Sequence, residues 1–106
     1  MYRIISQLDC SPAPFDLLSD IVDAVGGKIE IICDGGIRRG THVLKALAIG
    51  ASACSMGRPY LYGLAAAGQE GVEAVLSMFE AELKRNMMLM GVNKLSQLDQ
   101  SKIRRR

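Results

Sequence analysis

The sequence predicts an α/β fold in which short parallel strands alternate with helices. Apolar residues recur at helical spacing in residues 15–25, 43–49 and 70–90. Two short apolar segments lie between these helices, at residues 29–33 and 53–56, and each runs into a glycine-containing turn. Strands that alternate with helices form parallel sheets, because two parallel strands need a long crossover between them.

The first half of the chain contains a helix followed by a strand. Residues 1–6 are a weak strand candidate, and Pro12 and Pro14 keep the next segment extended. The helix over residues 15–25 ends at Gly26. The strand over residues 29–33 is apolar on nearly both faces, which predicts that helices cover both sides of it.

The second half predicts three helices and one strand. Thr41 is the predicted N-cap of the helix over residues 43–49, and Gly50 its end. A short helix over residues 61–67 follows the second strand. The long helix over residues 70–90 carries one apolar stripe, formed by Val72, Val75, Leu76, Phe79, Leu83, Met87 and Met90.

Composition restricts the class of protein. The chain has 106 residues, of which 49% are hydrophobic and 23% charged, and a net charge of +2. That charge is too small to indicate a nucleic-acid partner. Neither a signal sequence nor an apolar run of about 18 residues is present, so membrane insertion is not predicted. Three cysteines without a CxxC spacing predict a reduced, cytoplasmic location.

The most informative motif is IICDGGIRRG at residues 31–40, followed one unit later by Met56-Gly57-Arg58. Glycines let the backbone approach an anion closely, a helix start adds unpaired N–H donors, and arginine adds charge. In (β/α)₈ barrels a phosphate site often lies in the loops after strands 7 and 8. The motif therefore predicts a phosphate site, although the same glycines could merely shape turns between strand and helix.

The length fits only part of such a barrel. A complete (β/α)₈ barrel needs about 250 residues, so the predicted architecture is a partial barrel of the last two to three βα units. Two or three parallel strands leave sheet edges and an apolar sheet face uncovered. We therefore expect the chain to form a homo-oligomer or to pair with a complementary barrel fragment.

Three ordered segments resemble the FMN-dependent α-hydroxy-acid oxidase and dehydrogenase family. They are QLD-x-x-PAP from Gln7, CDGGIRRGT-x-V-x-KALA from Cys33, and GRP-x-x-x-x-LAAAG from Gly57. The likeness covers residues 7–98, in the order of the C-terminal part of that family. It implies a domain over residues 1–98 and a basic tail over residues 99–106.

The resemblance implies that FMN is the cofactor and that two motifs hold it. By position, Asp34, Gly35, Gly36, Ile37 and Arg38 match one cofactor-binding motif, and Gly57 and Arg58 match the other. The three glycines are expected to offer N–H groups to the phosphate and the two arginines to offer charge. Asp34 is expected to accept a hydrogen bond from a ribityl hydroxyl.

The sequence departs from the family where the chemistry is expected. Ahead of Gln7, Arg3 occupies the position of the family's catalytic histidine, and Ser6 that of its substrate-binding arginine. A guanidinium stays charged near pH 7 and is not a base. We therefore predict no catalytic residue and no autonomous oxidation. His42, the only histidine, stands where the family often has aspartate, and is expected to be an exposed residue at a helix start.

Three functional hypotheses follow from the sequence. The first is a fragment that binds FMN, or another phosphate ligand, without catalysis of its own. The second is a structural or interaction module that oligomerises through its uncovered sheet surface. The third is the C-terminal portion of a complete enzyme. The opening Met1 and the altered residues 1–6 argue against this third hypothesis and favour a native start at Met1.

Overall fold

The computed structural model describes residues 11–104, and its element order is α-β-α-β-α. The strand candidate in residues 1–6, the segment from Gln7 to Cys10, and Arg105 and Arg106 lie outside the described residues. The helices are α1 (Pro14–Val25), α2 (Gly40–Ile49) and α3 (Arg58–Leu89), and the strands are β1 (Ile32–Asp34) and β2 (Ala53–Ser55). These elements confirm the predicted α/β class.

The two strands form a parallel sheet with Cys33 opposite Cys54. Strand β1 is shorter than predicted, and the expectation that both of its faces are covered was wrong. Ile29 and Ile32 are 62% and 66% exposed, whereas Cys33 is buried. Within residues 11–104, helices α1 and α2 pack on one side of the sheet, and Ile32 is exposed on the other.

Helix α2 begins at Gly40, and its N-cap lies two residues before the predicted one. Arg39 occupies the N-cap position without a side-chain capping bond, and Thr41 lies inside the first turn, so the Thr41 prediction was wrong. A carboxylate on α3 takes over the capping role, as described below. The predicted end at Gly50 is confirmed.

Helix α3 contains a sharp corner. Ala67 and Gly68 have non-helical backbone angles, and Gly68 has a φ of 60°, so the two helices predicted from the sequence are confirmed as residues 58–66 and 69–89. The two arms cross closely, because a Cβ on Gly71 would collide with the Gly63 carbonyl oxygen. Glycine at this crossing allows the chain to reverse direction.

Two hydrophobic clusters join the elements. The first comprises Leu18, Cys33, Ile37, Ala46 and Ala51, and the second Leu44, Ala48, Val92 and Leu98. Two single-turn 3₁₀ helices, Leu95–Gln97 and Gln100–Lys102, follow α3, and Ile103 packs against the second cluster. The predicted tail thus contributes one residue to the packing, and the boundary at residue 98 stays a prediction. Across residues 11–104, none of the helices has the length and apolarity needed to cross a bilayer.

Candidate functional site

Both glycine motifs lie at the carboxyl edge of the two-stranded sheet. In the parallel register Asp34 is opposite Ser55. Gly35 and Gly36 therefore leave β1 beside the point where Met56 and Gly57 leave β2. Ligands of α/β proteins bind at this edge, where the strands' carboxyl ends and the helix starts meet.

The loop after β1 needs both of its glycines. Gly35 and Gly36 have φ angles of 94° and 76°, a region that side chains rarely enter. The Gly35 N–H donates to Oδ1 of Asp34 at 2.8 Å. Ile37, only 3% exposed, anchors the far end of the loop in the first cluster. Of the five residues matched here, one is thus a packing anchor and two shape the turn.

The side chain of Arg38 is exposed, and its main chain is hydrogen-bonded to a residue of α2. The Arg38 N–H donates to Nδ1 of His42 at 3.2 Å. His42 is half-buried, so the expectation of an exposed residue at the helix start was wrong. The imidazole accepts a hydrogen bond from the very residue that the sequence assigned to phosphate binding.

The surroundings of His42 lower its pKa. Burial contributes most, and the cations of Lys45 and Arg39 add to it, whereas Glu82 and a hydrogen bond with the Gly36 backbone act in the opposite direction. A pKa below the usual 6.5 keeps the ring neutral near pH 7. A neutral ring has one nitrogen that accepts, as the bond from Arg38 requires.

A carboxylate from α3 caps the start of α2. Glu82 accepts the Gly40 N–H at 2.9 Å and the Thr41 hydroxyl at 3.0 Å, and it pairs with the Arg39 guanidinium at 2.8 Å. Asn86, one turn further along α3, donates to the Thr41 hydroxyl oxygen at 2.9 Å. We call this group the Glu82 clamp. It fixes the residues that directly follow the glycine loop.

The Glu82 clamp was not predicted from the sequence, although the sequence contains a signal for it. Glu82 and Asn86 fall beside Phe79 and Leu83 at helical spacing, so two polar residues border the apolar stripe of α3. A polar residue on the packed side of a helix needs a partner. The partner lies 42 residues earlier in the chain, which spacing along the helix does not show.

The Glu82 clamp also predicts an acid-sensitive contact. Burial raises the pKa of Glu82, but hydrogen bonds from Thr41, Gly40 and Arg39 outweigh it, so the pKa lies below its ordinary value of 4.5. A lowered folded-state pKa stabilises the fold above pH 4.5, and that contribution is lost as the pH falls through the folded-state pKa. Glu82→Gln is expected to reduce the free energy of unfolding at pH 7, and the difference from the parent chain should shrink below pH 4.5.

Urea unfolding at several pH values would measure this effect. Glu80→Gln is the matched control on the same helix, because Glu80 pairs with Lys84 at an exposed site, where ion pairs contribute little. An effect of Glu82→Gln no larger than that of Glu80→Gln would contradict the clamp.

The second motif lies at the start of α3. Gly57 is the N-cap residue, Arg58 is the first helical residue with an exposed side chain, and Pro59 follows it. A helix start concentrates unpaired N–H donors and partial positive charge. Gly57 has a φ of −117°, and a Cβ built there would meet no atom of residues 11–104 within 4 Å. The packing and backbone of this chain thus do not explain why residue 57 is glycine.

A cleft of about 440 Å³ joins the loop after β1 to α3. Its polar lining residues are Arg38, Arg39, Glu82 and Arg85. Its apolar lining residues are Pro59, Val75, Met78, Phe79 and Ala81. The described residues that line the cleft include three arginines and one glutamate. The residues bordering the loop therefore favour an anion.

The strand cysteines do not provide a nucleophile. Burial, followed by the charge of Asp34, raises the pKa of the Cys33 thiol. Burial and then the neighbouring Cys33 raise the pKa of Cys54 to about 11. A thiol protonated near pH 7 reacts poorly, so both cysteines act as packing residues.

Comparison with known proteins identifies the family. Residues 6–105 match the model of the FMN-dependent dehydrogenase family. The chain is 53% identical over 95 residues to L-lactate oxidase from Nostoc, an alignment that covers 90% of this chain and 26% of that protein. It is 46% identical over 99 residues to human 2-hydroxyacid oxidase 1, covering 93% of this chain and 27% of that protein.

Solved structures of the same kind of enzyme share the fold. A soluble mutant of the membrane-associated (S)-mandelate dehydrogenase from Pseudomonas putida superposes with a TM-score of 0.87 at 35% identity, covering 93% of this chain and 28% of that chain. A mandelate oxidase mutant with a monooxide FMN adduct gives a TM-score of 0.80 at 45% identity, covering 84% and 28%. The chain spans about a quarter of the length of the curated relatives that it matches. It belongs to the FMN-dependent dehydrogenase family, the family of the α-hydroxy-acid oxidases and dehydrogenases, whose cofactor is FMN.

Proposed function

We propose that this chain forms the FMN phosphate site of an α-hydroxy-acid oxidoreductase and corresponds to the last two βα units of a (β/α)₈ barrel. One observation supports this most directly. Two neighbouring parallel strands end side by side, one in Asp34-Gly35-Gly36 and the other in Gly57-Arg58. We thus propose three things together: the partial barrel, the phosphate site and the role of each residue in it.

The proposal divides the donors between the two motifs. The Gly35 N–H is already bonded to Asp34, so Gly35 shapes the turn, and Gly36 and Gly57 are the glycines proposed to donate to the phosphate. Arg38 and Arg58 supply charge-assisted hydrogen bonds. Oδ1 of Asp34 accepts the Gly35 N–H, which leaves Oδ2 to accept a ribityl hydroxyl.

The space above Gly57 fits this assignment. As far as the described part of the chain shows, a Cβ at residue 57 would meet no neighbouring atom at the start of α3, beside the exposed Arg58. We therefore propose that residue 57 is glycine because a bound group must approach its backbone, and not because the packing of the fold requires it. A phosphate at a helix start needs this close approach to backbone N–H groups.

When bound, FMN accepts the two electrons that leave a hydroxy acid. In our proposal this chain holds and orients the cofactor and supplies no catalytic base. His42 uses Nδ1 to hold Arg38, and the thiols of Cys33 and Cys54 are protonated near pH 7. Arg3 and Ser6, the residues at the predicted catalytic positions, lie outside the described residues.

The exposed apolar side chains beside β1 form the proposed contact surface for the rest of a barrel. Leu17, Ile21 and Ile32 are exposed and line a second, mainly apolar cleft of about 280 Å³ between α1 and β1. A large exposed apolar patch marks an interaction site. We propose that complementary barrel strands, or a second copy of the chain, cover it in the cytoplasm.

Titration of the chain with FMN and with riboflavin tests the function. The two flavins share the isoalloxazine ring and ribityl chain and differ in the phosphate. Saturable quenching of FMN fluorescence, with at least tenfold weaker binding of riboflavin, is the expected result. A folded chain that binds neither flavin would overturn the proposal and favour an interaction module, which the oligomeric state measured alongside would support. Equal binding of both flavins would contradict a phosphate site.

A further inference from the structure

Two side-chain acceptors hold the main chain of the loop after β1. Asp34 accepts the Gly35 N–H at the start of the loop, and His42 accepts the Arg38 N–H at its end. The first acceptor belongs to the loop itself. The second stands on α2, where the His42 N–H is bonded to the Arg39 carbonyl oxygen at 3.0 Å. The position of Arg38 thus depends on a residue outside the matched motif.

We propose that His42 is a positioning residue for the cofactor phosphate, because its Nδ1 fixes the main chain from which the Arg38 guanidinium extends. This inference rests on the proposed function. Arg38 is exposed and has a long side chain, so a fixed main chain reduces the conformational freedom that phosphate binding must remove. His42 acts through Arg38 and itself needs no contact with the phosphate.

The role requires an unprotonated Nδ1. A neutral imidazole accepts at one nitrogen, whereas an imidazolium only donates. The groups facing the ring are Lys45 on its own helix, Arg39 and the Gly36 backbone from the loop, and Glu82 from α3. The two cations oppose protonation and Glu82 favours it. Protonation of His42 would remove the acceptor, which weakens FMN binding, but would add positive charge near the phosphate, which strengthens it. The Arg38 amide is therefore a better measure of the positioning role than the FMN affinity.

Two variants of similar shape separate the acceptor from the volume of the side chain. In His42→Asn, Oδ1 stands two bonds from Cβ, as Nδ1 does in histidine, and it accepts. In His42→Leu, a methyl group stands at that position and cannot accept. We expect His42→Leu to weaken FMN binding about 3- to 10-fold, the effect of one lost hydrogen bond. Riboflavin binding should stay unchanged, and His42→Asn should retain most of the FMN affinity.

The free chain gives a second measurement that needs no flavin. In NMR spectra of the parent chain, the Arg38 amide shift should follow the titration of His42, at a pH below the usual 6.5. Hydrogen exchange at Arg38 should be faster in His42→Leu than in His42→Asn. An Arg38 amide shift that does not change as His42 titrates would overturn the inference, even if His42→Leu did not fold.

The flavin titrations distinguish the two proposals. Equal FMN affinity in the parent chain, His42→Asn and His42→Leu would overturn the role of His42 and leave the phosphate site standing. Equal losses of FMN and riboflavin in His42→Leu would indicate a general structural effect and would also contradict it. If the parent chain bound no FMN while the Arg38 amide shift still changed with the titration of His42, the proposed function would be wrong and the contact between His42 and Arg38 would stand.

Discussion

Gly40→Ala is expected to lower the free energy of unfolding by about 3 kcal/mol, which falls in the upper range for overpacked sites. A Cβ on Gly40 would lie 2.6 Å from the Phe79 carbonyl oxygen and 2.8 Å from the Leu83 nitrogen. Both atoms belong to the backbone of α3, so neither can rotate away. The helices must therefore separate, and the hydrogen bond from the Gly40 N–H to Glu82 is stretched with them.

Urea unfolding followed by circular dichroism would measure the loss. Alanine has the better helix propensity, by about 1 kcal/mol, so the substitution would stabilise α2 if the close contact with α3 did not exist. Gly57→Ala is the matched control, because its Cβ would meet no atom of the described residues within 4 Å. Its effect on stability should stay at or below about 1 kcal/mol, because Gly57 is an N-cap residue and alanine is a poorer N-cap than glycine. A stable Gly40→Ala chain would contradict the packing of α2 on α3.

Arg38→Met is expected to weaken FMN binding about 10- to 100-fold without changing riboflavin binding. The reason is that a hydrogen bond to a charged group contributes about 1.5–3 kcal/mol, and methionine keeps most of the length of the side chain but removes its charge. The dependence of FMN affinity on salt should weaken too, since one cation fewer faces the phosphate. Fluorescence titrations at low and high ionic strength would measure both effects.

Arg39→Met is the matched control, one residue along the chain. The Arg39 guanidinium pairs with Glu82 at 2.8 Å and is 68% exposed, so it belongs to the Glu82 clamp rather than to the proposed phosphate site. Its loss should cost at most about 1 kcal/mol of stability. The ratio of FMN to riboflavin affinity should not change. If Arg39→Met lowered that ratio as much as Arg38→Met, the two arginines would have been assigned wrongly.

The sequence predicted those features that local chemistry determines. Apolar spacing identified α1 and both arms of α3, and glycines marked the ends of α1 and α2. The order of the elements predicted a parallel sheet, because alternating strands and helices leave few other arrangements. The resemblance of three ordered motifs predicted the family that the comparisons confirmed. The seven residues assigned to the cofactor stay a prediction, and the FMN titrations above test it.

Contacts between distant residues were not predictable in the same way. Glu82 caps α2 from 42 residues away, a role that sequence reasoning assigned to Thr41. His42 was expected to be exposed, but burial and the Arg38 N–H make it a neutral acceptor. Strand β1 was expected to be covered on both faces, because its composition is that of a parallel strand between layers of helices. Exposure depends on which neighbours pack against a strand, and the composition of the strand does not show them.

The sequence by itself determined the class of fold, the family and the two glycine motifs, because each depends on residues close together in the chain. The tertiary structure alone decided which hydrogen-bond groups are already engaged. Gly35 donates to Asp34, Arg38 donates to His42, and Arg39 pairs with Glu82. The Arg39–Glu82 pair depends on how α2 packs on α3, and the other two bonds depend on the path of the folded loop after β1. Together they determine which donors are left for a ligand.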